Sequence, residues 1–313
     1  MRGLFWATSW VTPELVLVAV RALNFTSMKV LKLGLTLVRH GETQYNKEGL
    51  LQGSVSHIDR AVTCLLWFIL YTFISVLHAG QTIDSGLSEI GLQQAEAAGR
   101  YLKDVLFSNV FVSDMLRARQ TAEAIMRQNR SCCGLRMVCD PLLKERSFGI
   151  AEGGHIKDVR EMAKAAGQTF PDFTPPEGET QDQVKERVER FLDKTLRRIW
   201  DERRRDGGED DRAERAPAEA PPDEGTAEDG VGGTPLHALV VTHGAYMCVA
   251  ARYFVEELRC PLPPGSDKAA MLSISPNTGL CRFILTLRKE EGGVKLSHVR
   301  CVFMHRRDHI RSL

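Results

Sequence analysis

The sequence predicts an α/β fold: a mainly parallel central sheet flanked by helices, with a C-terminal antiparallel hairpin. Three observations predict it. Two apolar runs of strand length, 30–38 and 238–242, end in Arg39-His40-Gly41 and Thr242-His243-Gly244, as buried parallel strands do where they deliver residues to a sheet's carboxyl edge. Stretches with helical periodicity alternate with such strands along the chain, the pattern of crossover connections. Near the end, the stretches 280–288 and 294–304 flank Gly292-Gly293, a hairpin signal.

The first strand, 30–38, is rich in Val and Leu. A helix over 89–104 follows Ser88 and carries Ala95, Ala97 and Ala98 on its inner face; a short strand over 109–112 comes next. Ser113 or Asp114 then reads as the N-cap of a helix over 114–128, which places Arg117 in its first turn. A strand over 135–139, helices around 156–166 and 179–200, a strand over 238–242 and a helix over 245–257 complete the alternation. Thr180, after Gly178 and Glu179, reads as the N-cap of the long helix rather than as a chemical group.

Four stretches carry chemistry. Either strand-end histidine alone reads as a satisfied side chain, but His40 and His243 on two parallel strands meet at the edge where open α/β sheets bind ligands. A histidine there can accept a phosphoryl group. Arg117, at a helix N-terminus, adds a fork-shaped cation to a dipole that favours anions, although alone Arg117 and Arg119 would read as solvated charges. Glu145, in Leu142-Leu143-Lys144-Glu145-Arg146-Ser147-Phe148-Gly149 followed by Glu152-Gly153, is a carboxyl able to protonate a leaving oxygen; the plainer alternative is an ion pair with Lys144 or Arg146.

In this order the four stretches resemble the histidine phosphatase superfamily, whose signature is Arg-His-Gly after the first strand and a second His-Gly late in the chain. The likeness is to its fructose-2,6-bisphosphatase-like branch. It is carried by Leu-Thr-Leu-Val-Arg-His-Gly-Glu-Thr (35–43), Ser-Asp-Met-Leu-Arg-Ala-Arg-Gln-Thr (113–121), Met162 to Ala166, Phe173-Thr174-Pro175-Pro176, Gly178-Glu179-Thr180, His243-Gly244-Ala245-Tyr246-Met247 and Ser275-Pro276-Asn277-Thr278-Gly279. It covers about 29–53, 81–200 and 236–309.

The resemblance implies a phosphoglycerate mutase-like fold and a metal-independent phosphatase. His40 is then the nucleophile that forms a phosphohistidine, and Glu145 the proton donor that later activates water. Arg39, Arg117 and His243 clamp the phosphoryl group, Asn46 contacts phosphate, and the Gly244 N–H is a further donor. Two guanidiniums and a histidine neutralise the equatorial oxygens without a metal or cofactor, and no metal-ligand spacing is present. The implied reaction removes the 2-phosphate of fructose 2,6-bisphosphate, giving fructose 6-phosphate, lowering glycolysis and favouring the pentose phosphate pathway. Alternatives are a phosphatase of 2,3-bisphosphoglycerate or another small phosphoester, then a phosphoglycerate mutase; of another class, a catalytically silent binding protein at the mitochondrial surface. Arg146 and Lys268 are guesses for a second phosphate. A small phosphorylated metabolite is the expected partner, and the resemblance allows a glycolytic kinase at the mitochondrial surface. It places the protein in the cytoplasm, with nucleus and mitochondrion allowed, and connects it with apoptosis and autophagy.

Composition fits one large α/β domain: 313 residues, 43% hydrophobic, enough to bury a core. The net charge of +1 hides an asymmetry, since residues 201–230 hold five arginines against twelve acids, a net −7, leaving +8 elsewhere. A basic body suits an anionic substrate; without aromatics interleaved in a basic stripe it does not indicate nucleic acid. The eight cysteines are scattered with no CxxC spacing, which suits reduced thiols in the cytosol. Cys132 and Cys133 read as the exposed pair.

Three segments fall outside the resemblance. Residues 1–27 form an atypical N-terminal extension before the domain 28–313, and Met28 reads as the ancestral start. Pro13 and Glu14 spoil a secretory signal core, and Arg2 and Arg21 make at most a weak mitochondrial presequence. An apolar insertion, 54–80, holds the uncharged run 61–77. A membrane span there would separate His40 from Arg117, Glu145 and His243, so a membrane-touching loop, a substrate cap or an aberrantly included exon is expected, the last favoured. Residues 201–235, rich in Asp, Glu, Arg, Pro and Gly without an aromatic, read as a disordered acidic loop.

Overall fold

The computed structural model describes residues 30–53, 84–205, 226–311 and 313, less 171, 233, 235 and 292. The extension 1–27 and the insertion 54–80, with its apolar run 61–77, lie outside the described residues. Among the described residues no helix is long and apolar enough to cross a membrane.

Among the described residues six strands form one sheet: β1 (Val30–Arg39), β2 (Asn109–Val112), β3 (Met137–Cys139), β4 (His237–Thr242), β5 (Leu280–Glu290) and β6 (Gly293–Arg306), in the order β3-β2-β4-β1-β5-β6. β1 to β4 are parallel, and β5 and β6 are antiparallel additions on the β1 side. The mainly parallel sheet with a terminal hairpin is therefore the observed one. Its register matters for function: Val38 pairs with Val241 and Arg39 with Thr242, so the next residues of the two strands, His40 and His243, emerge together at one edge.

Among the described residues seven α-helices accompany the sheet: α1 (Gln44–Glu48), α2 (Glu89–Tyr101), α3 (Leu116–Gln128), α4 (Ile156–Ala165), α5 (Gln181–Arg205), α6 (Gly244–Arg252) and α7 (Lys268–Met271). Period-two alternation in the strands feeds two cores. Leu31, Leu33, Leu35 and Leu37 of β1 with Ala238 and Val240 of β4 pack beneath α5 and α6, against Val188, Phe191, Leu192, Leu196 and Met247. Val38, Leu239 and Val241 face the opposite layer, where α2 and α3 bury Ala98, Leu102, Ala118, Ala122 and Ile125. Fully burying each large aliphatic side chain contributes ~1.5–3 kcal/mol, so both layers are needed to fix the sheet that carries the strand ends. A smaller cluster joins Leu51, Phe148, Val159, Ala163 and Phe173 to Ala245 at the head of α6.

Three sequence expectations shift. α3 begins at Leu116 after Met115, which has no capping side chain; the Leu116 amide is instead capped by the Asp84 carboxylate at 2.7 Å. Ser113 Oγ accepts the Met115 amide at 3.3 Å, short of the first helical residue, and also meets His243, while Lys144 pairs with Asp114 at 3.5 Å, so neither side chain caps the first turn of α3. Of the expected loop 201–235, residues 206–225 lie outside the described residues, and described residues on both sides of them are structured. Residues 201–205 continue α5, and at the other end two buried arginines hold the chain: Arg282 donates to the Ala227 and Asp229 carbonyls, Arg306 to the Thr226 carbonyl and the Asp229 carboxylate. Cys132 is buried, and among the described residues the exposed thiols are Cys133 and Cys139. Thr180 does cap α5, accepting the Gln183 amide at 3.2 Å while its own amide donates to the Gln183 side chain.

Candidate active site

All four parallel strands end at the same edge, and each contributes there: β1 leads to Arg39 and His40, β2 to Ser113 and Arg117, β3 to Glu145, and β4 to His243 and Gly244. Residues up to two hundred positions apart meet because the strands that carry them are neighbours in one parallel set. That edge is where open α/β sheets place ligands.

His40 is 3% exposed. Its Nδ1 lies 2.7 Å from the Gly41 carbonyl oxygen; a carbonyl can only accept, so Nδ1 carries the proton and Nε2 keeps its lone pair. Burial, then the charges of Arg117 and Arg39, hold the imidazole well below its ordinary pKa, against the opposing pull of the Gly41 bond. The neutral, nucleophilic form is the stable one. Gly41 is fixed in turn: its amide donates to Thr121 Oγ1 at 3.0 Å, and a Cβ there would lie 2.5 Å from the Gly91 carbonyl oxygen. Glycine is required because the chain after β1 runs backbone against backbone with the start of α2.

The His243 ring stands 5.1 Å from that of His40, centroid to centroid. Its Nε2 bonds Ser113 Oγ at 2.8 Å, while among the described residues its buried Nδ1 has no hydrogen-bond partner. Burial lowers its pKa first, followed by Arg117, so it too is neutral. A serine hydroxyl that donates to Nε2 puts the imidazole proton on Nδ1, where it is a donor awaiting an acceptor.

Two arginines, Arg117 buried and Arg39 partly buried, supply the positive charge. Arg39 donates one terminal nitrogen to the Ser275 carbonyl at 2.7 Å and keeps a buried Nε without a hydrogen-bond partner among the described residues. Arg117 is fully buried in the first turn of α3, and burial takes its pKa down to about 10, opposed by Glu145 and Asp84. It stays charged at neutral pH. Arg119, two residues on, is partly exposed.

Glu145 is buried and its carboxylate accepts three backbone N–H groups, from Arg146 at 2.8 Å, Tyr246 at 3.0 Å and Ala245 at 3.2 Å. The last two belong to the first turn of α6, whose dipole favours an acidic group there. Glu145 thus lies across the head of the helix that His243 begins, and Lys144 pairs with Asp114 at 3.5 Å. Gly244 lets that helix approach: a Cβ there would lie 3.1 Å from Arg39 Nε and 2.9 Å from Ile274. Asn46 of α1 uses its Oδ1 to accept from the Thr43 amide and from Asn277 Nδ2, both at 3.2 Å, which leaves its amide NH₂ as the end with donors to offer. All seven residues singled out from the sequence, His40, Glu145, His243, Arg39, Asn46, Arg117 and Gly244, belong to this strand-end cluster.

The two guesses for a second phosphate lie in different surroundings. Arg146 is buried and directs its guanidinium to the Glu179 carbonyl at 2.7 Å, the Phe173 carbonyl at 3.0 Å and Thr174 Oγ1 at 2.9 Å. Lys268 pairs with Glu256 at 3.1 Å on the surface. Conversely, the site includes residues that no local pattern marks: Ser113, which touches His243, and Asn277, whose Nδ2 donates to the His40 carbonyl at 3.2 Å. Arg187 is a third, bracing the backbone around Glu145. Among the described residues no group of His, Cys, Asp and Glu is arranged to hold a metal ion.

An electron-rich Nε2, two forked cations, a neutral imidazole donor and a carboxyl group together can accept and release a phosphoryl group. The family model of the histidine phosphatase superfamily, branch 1, matches residues 76–204. Zebrafish (Danio rerio) probable fructose-2,6-bisphosphatase TIGAR A is 52% identical, the match spanning 90% of this chain and 100% of that protein. Bovine (Bos taurus) fructose-2,6-bisphosphatase TIGAR is 35% identical across 89% of this chain and 97% of its own length. Among solved structures, phosphoglycerate mutase from Bacillus anthracis superposes with a TM-score of 0.52 at 21% identity, over 86% of this chain and 93% of that one, which shows the shared fold. By sequence over nearly its whole length, the chain belongs to the histidine phosphatase superfamily, among its TIGAR-type members.

Proposed function

We propose that the protein is a phosphatase that works through a phosphohistidine on His40 and removes the 2-phosphate of fructose 2,6-bisphosphate. The observation that carries the reaction class is His40 itself: neutral, with its proton fixed on Nδ1 by the Gly41 carbonyl, buried between two guanidiniums. His40 Nε2 attacks phosphorus as the bond to the leaving sugar oxygen breaks, and Glu145 supplies the proton that oxygen needs. Water then attacks the phosphohistidine, gives a proton to Glu145 and releases inorganic phosphate, returning His40 to its neutral form. Arg39, Arg117, Asn46, the Gly244 amide and His243 neutralise charge on the equatorial oxygens, positioning and electrostatics being most of what phosphoryl transfer asks of a protein. The substrate is supported by the TIGAR relatives, named fructose-2,6-bisphosphatases at 35–52% identity over nearly all of their length.

The test is phosphate release from fructose 2,6-bisphosphate by wild type and His40→Ala with a metal chelator present. Release by wild type, reduced roughly 10³-fold or more in the variant, is the expected result. A folded wild type that releases phosphate from 2,3-bisphosphoglycerate but not from fructose 2,6-bisphosphate would overturn the substrate and keep the chemistry.

A further inference from the structure

Glu145 is held at two places, and the second is not part of the phosphate clamp. At the carboxylate end it bonds the head of α6. At the backbone end, where Thr242 Oγ1 also donates to the Leu143 carbonyl at 2.7 Å, one guanidinium makes three bonds: Arg187, on the second turn of α5, donates to the carbonyl oxygens of Leu142 and Lys144 at 2.9 Å and of Glu145 at 3.4 Å. The same guanidinium forms a two-pronged pair with Glu179, at 2.8 and 2.7 Å. Glu179 continues the grip on the far side, its carboxylate accepting the Ser147 amide at 2.8 Å and its own amide donating to the Ser147 carbonyl at 2.9 Å. Five backbone groups between residues 142 and 147 are therefore fixed by two side chains and one amide from the start of α5. Both side chains are mostly shielded, 15% and 24% exposed.

We infer that the Arg187–Glu179 pair is a positioning device for the proton donor: it fixes the backbone of residues 142–147 so that Glu145 presents its carboxyl to the leaving oxygen. The inference rests on the reading of Glu145 as the acid. Residues 140–147 otherwise lack regular secondary structure beyond a single 3₁₀ turn at Pro141–Leu143, so no strand or helix ladder would hold them. Arg187 hydrogen-bonds none of His40, His243, Arg39 or Arg117. Its removal should therefore touch the proton-transfer step and spare attack on phosphorus. A fork is needed because lysine is a point donor that cannot reach three carbonyls and a carboxylate at once.

Leaving groups separate this role from a general structural one. An alkyl phosphate needs its leaving oxygen protonated, whereas p-nitrophenyl phosphate expels a stable phenolate and does not. The experiment compares Glu145→Gln, Arg187→Lys and Glu179→Gln with wild type on p-nitrophenyl phosphate and on an alkyl phosphate such as glycerol 2-phosphate, with thermal melts alongside. Arg187→Lys keeps the charge, so a change in the field at His243 is not the variable. Glu179→Gln keeps an acceptor for the Ser147 amide and provides the test should Arg187→Lys fold poorly. Expected for Arg187→Lys is a fall of at least tenfold in kcat/KM, which reports leaving-group departure and not the later hydrolysis that Glu145 also assists, on the alkyl ester and less than threefold on the aryl ester, in the same direction as Glu145→Gln, with a smaller selective fall for Glu179→Gln. Equal losses on both esters, or none, in folded Arg187→Lys and Glu179→Gln beside a selective Glu145→Gln would overturn the positioning role and leave the acid reading standing. Equal losses in Glu145→Gln itself would overturn both.

Discussion

An imidazole that must stay uncharged to attack phosphorus is best kept among cations, because each nearby positive charge penalises the proton that would silence it. His40 has two such neighbours, and burial reinforces them. The sign of the pH dependence follows. In solution an imidazole loses half its nucleophilic form near pH 6.5; with the pKa depressed in the free enzyme, neutral His40 persists below that point. Plots of kcat/KM against pH, corrected for the substrate phosphate's own second ionisation near pH ~6, should show the limb belonging to His40 well below 6.5. Arg117→Met, which removes the larger of the two charge contributions, should move that limb upward while lowering the rate. A wild-type limb at or above 6.5 would contradict the burial-and-charge account. His243 follows the same logic for a different purpose, since as a neutral donor it depends on Ser113 to place its proton.

At the scale of elements, the site depends on how closely α2 approaches the chain leaving β1. Gly91, in the first turn of α2, sits so near Glu42 that an added Cβ would overlap the Glu42 carbonyl, and Gly41 faces the Gly91 carbonyl from the other side. Neither collision is with a flexible side chain, so backbone must move. Gly91→Ala should therefore destabilise the fold by about 2 kcal/mol or more, despite alanine's better helix propensity, and should depress activity in the molecules that remain folded by shifting His40. Urea unfolding and kcat at low temperature check the two parts; an unchanged midpoint would show that the backbones are not in contact. The contact also marks the limit of what was legible in the sequence. Strands could be read almost to the residue, because Val- and Leu-rich runs ending in His-Gly describe a buried parallel strand on their own. The α3 start could not, because the group capping Leu116 is Asp84, more than thirty positions upstream, and a local reading assigns the cap to Ser113 or Asp114. Arg187 was illegible for the same reason: on a helix already carrying many charges, nothing local distinguishes the one arginine whose partners are the carbonyls of residues 142–145. The catalytic candidates were legible because their spacing repeats a family pattern, whereas the groups that hold them are chosen by tertiary contact.

For the whole molecule, the same burial that prepares the site makes stability depend on pH. His40, His237 and His243 have pKa values well below the ordinary imidazole value, His305 is lowered as well, and His309 falls to about 4, with burial the largest cause in each. In the unfolded chain all five would titrate near pH 6.5. Below that pH the unfolded state binds protons that the folded state refuses, so stability falls as the solution is acidified. Each proton of difference tilts the balance by about 1.4 kcal/mol per pH unit, and five histidines acting in the same window produce a slope that a single surface group could not. On the alkaline side the sign reverses. The thiols of Cys132 and Cys260 are raised to about 11, that of Cys281 to about 12, and that of Cys301 is pushed up as well; above pH ~9 the unfolded chain loses protons that the folded one retains. Stability should therefore peak in a window bounded by the histidines below and the buried thiols above. Urea denaturation between pH 4.5 and 10 tests this: ΔG should be flat around neutrality, fall by several kcal/mol between pH ~6.5 and ~5, and fall again above pH ~9. His237→Gln isolates one contribution, since His237 lies within the sheet, bonded to Thr36 at 2.7 Å. Its acid slope should be shallower than wild type by up to one proton. A slope identical to wild type would show that His237 binds its proton equally well in both states, against the burial that the structure gives it.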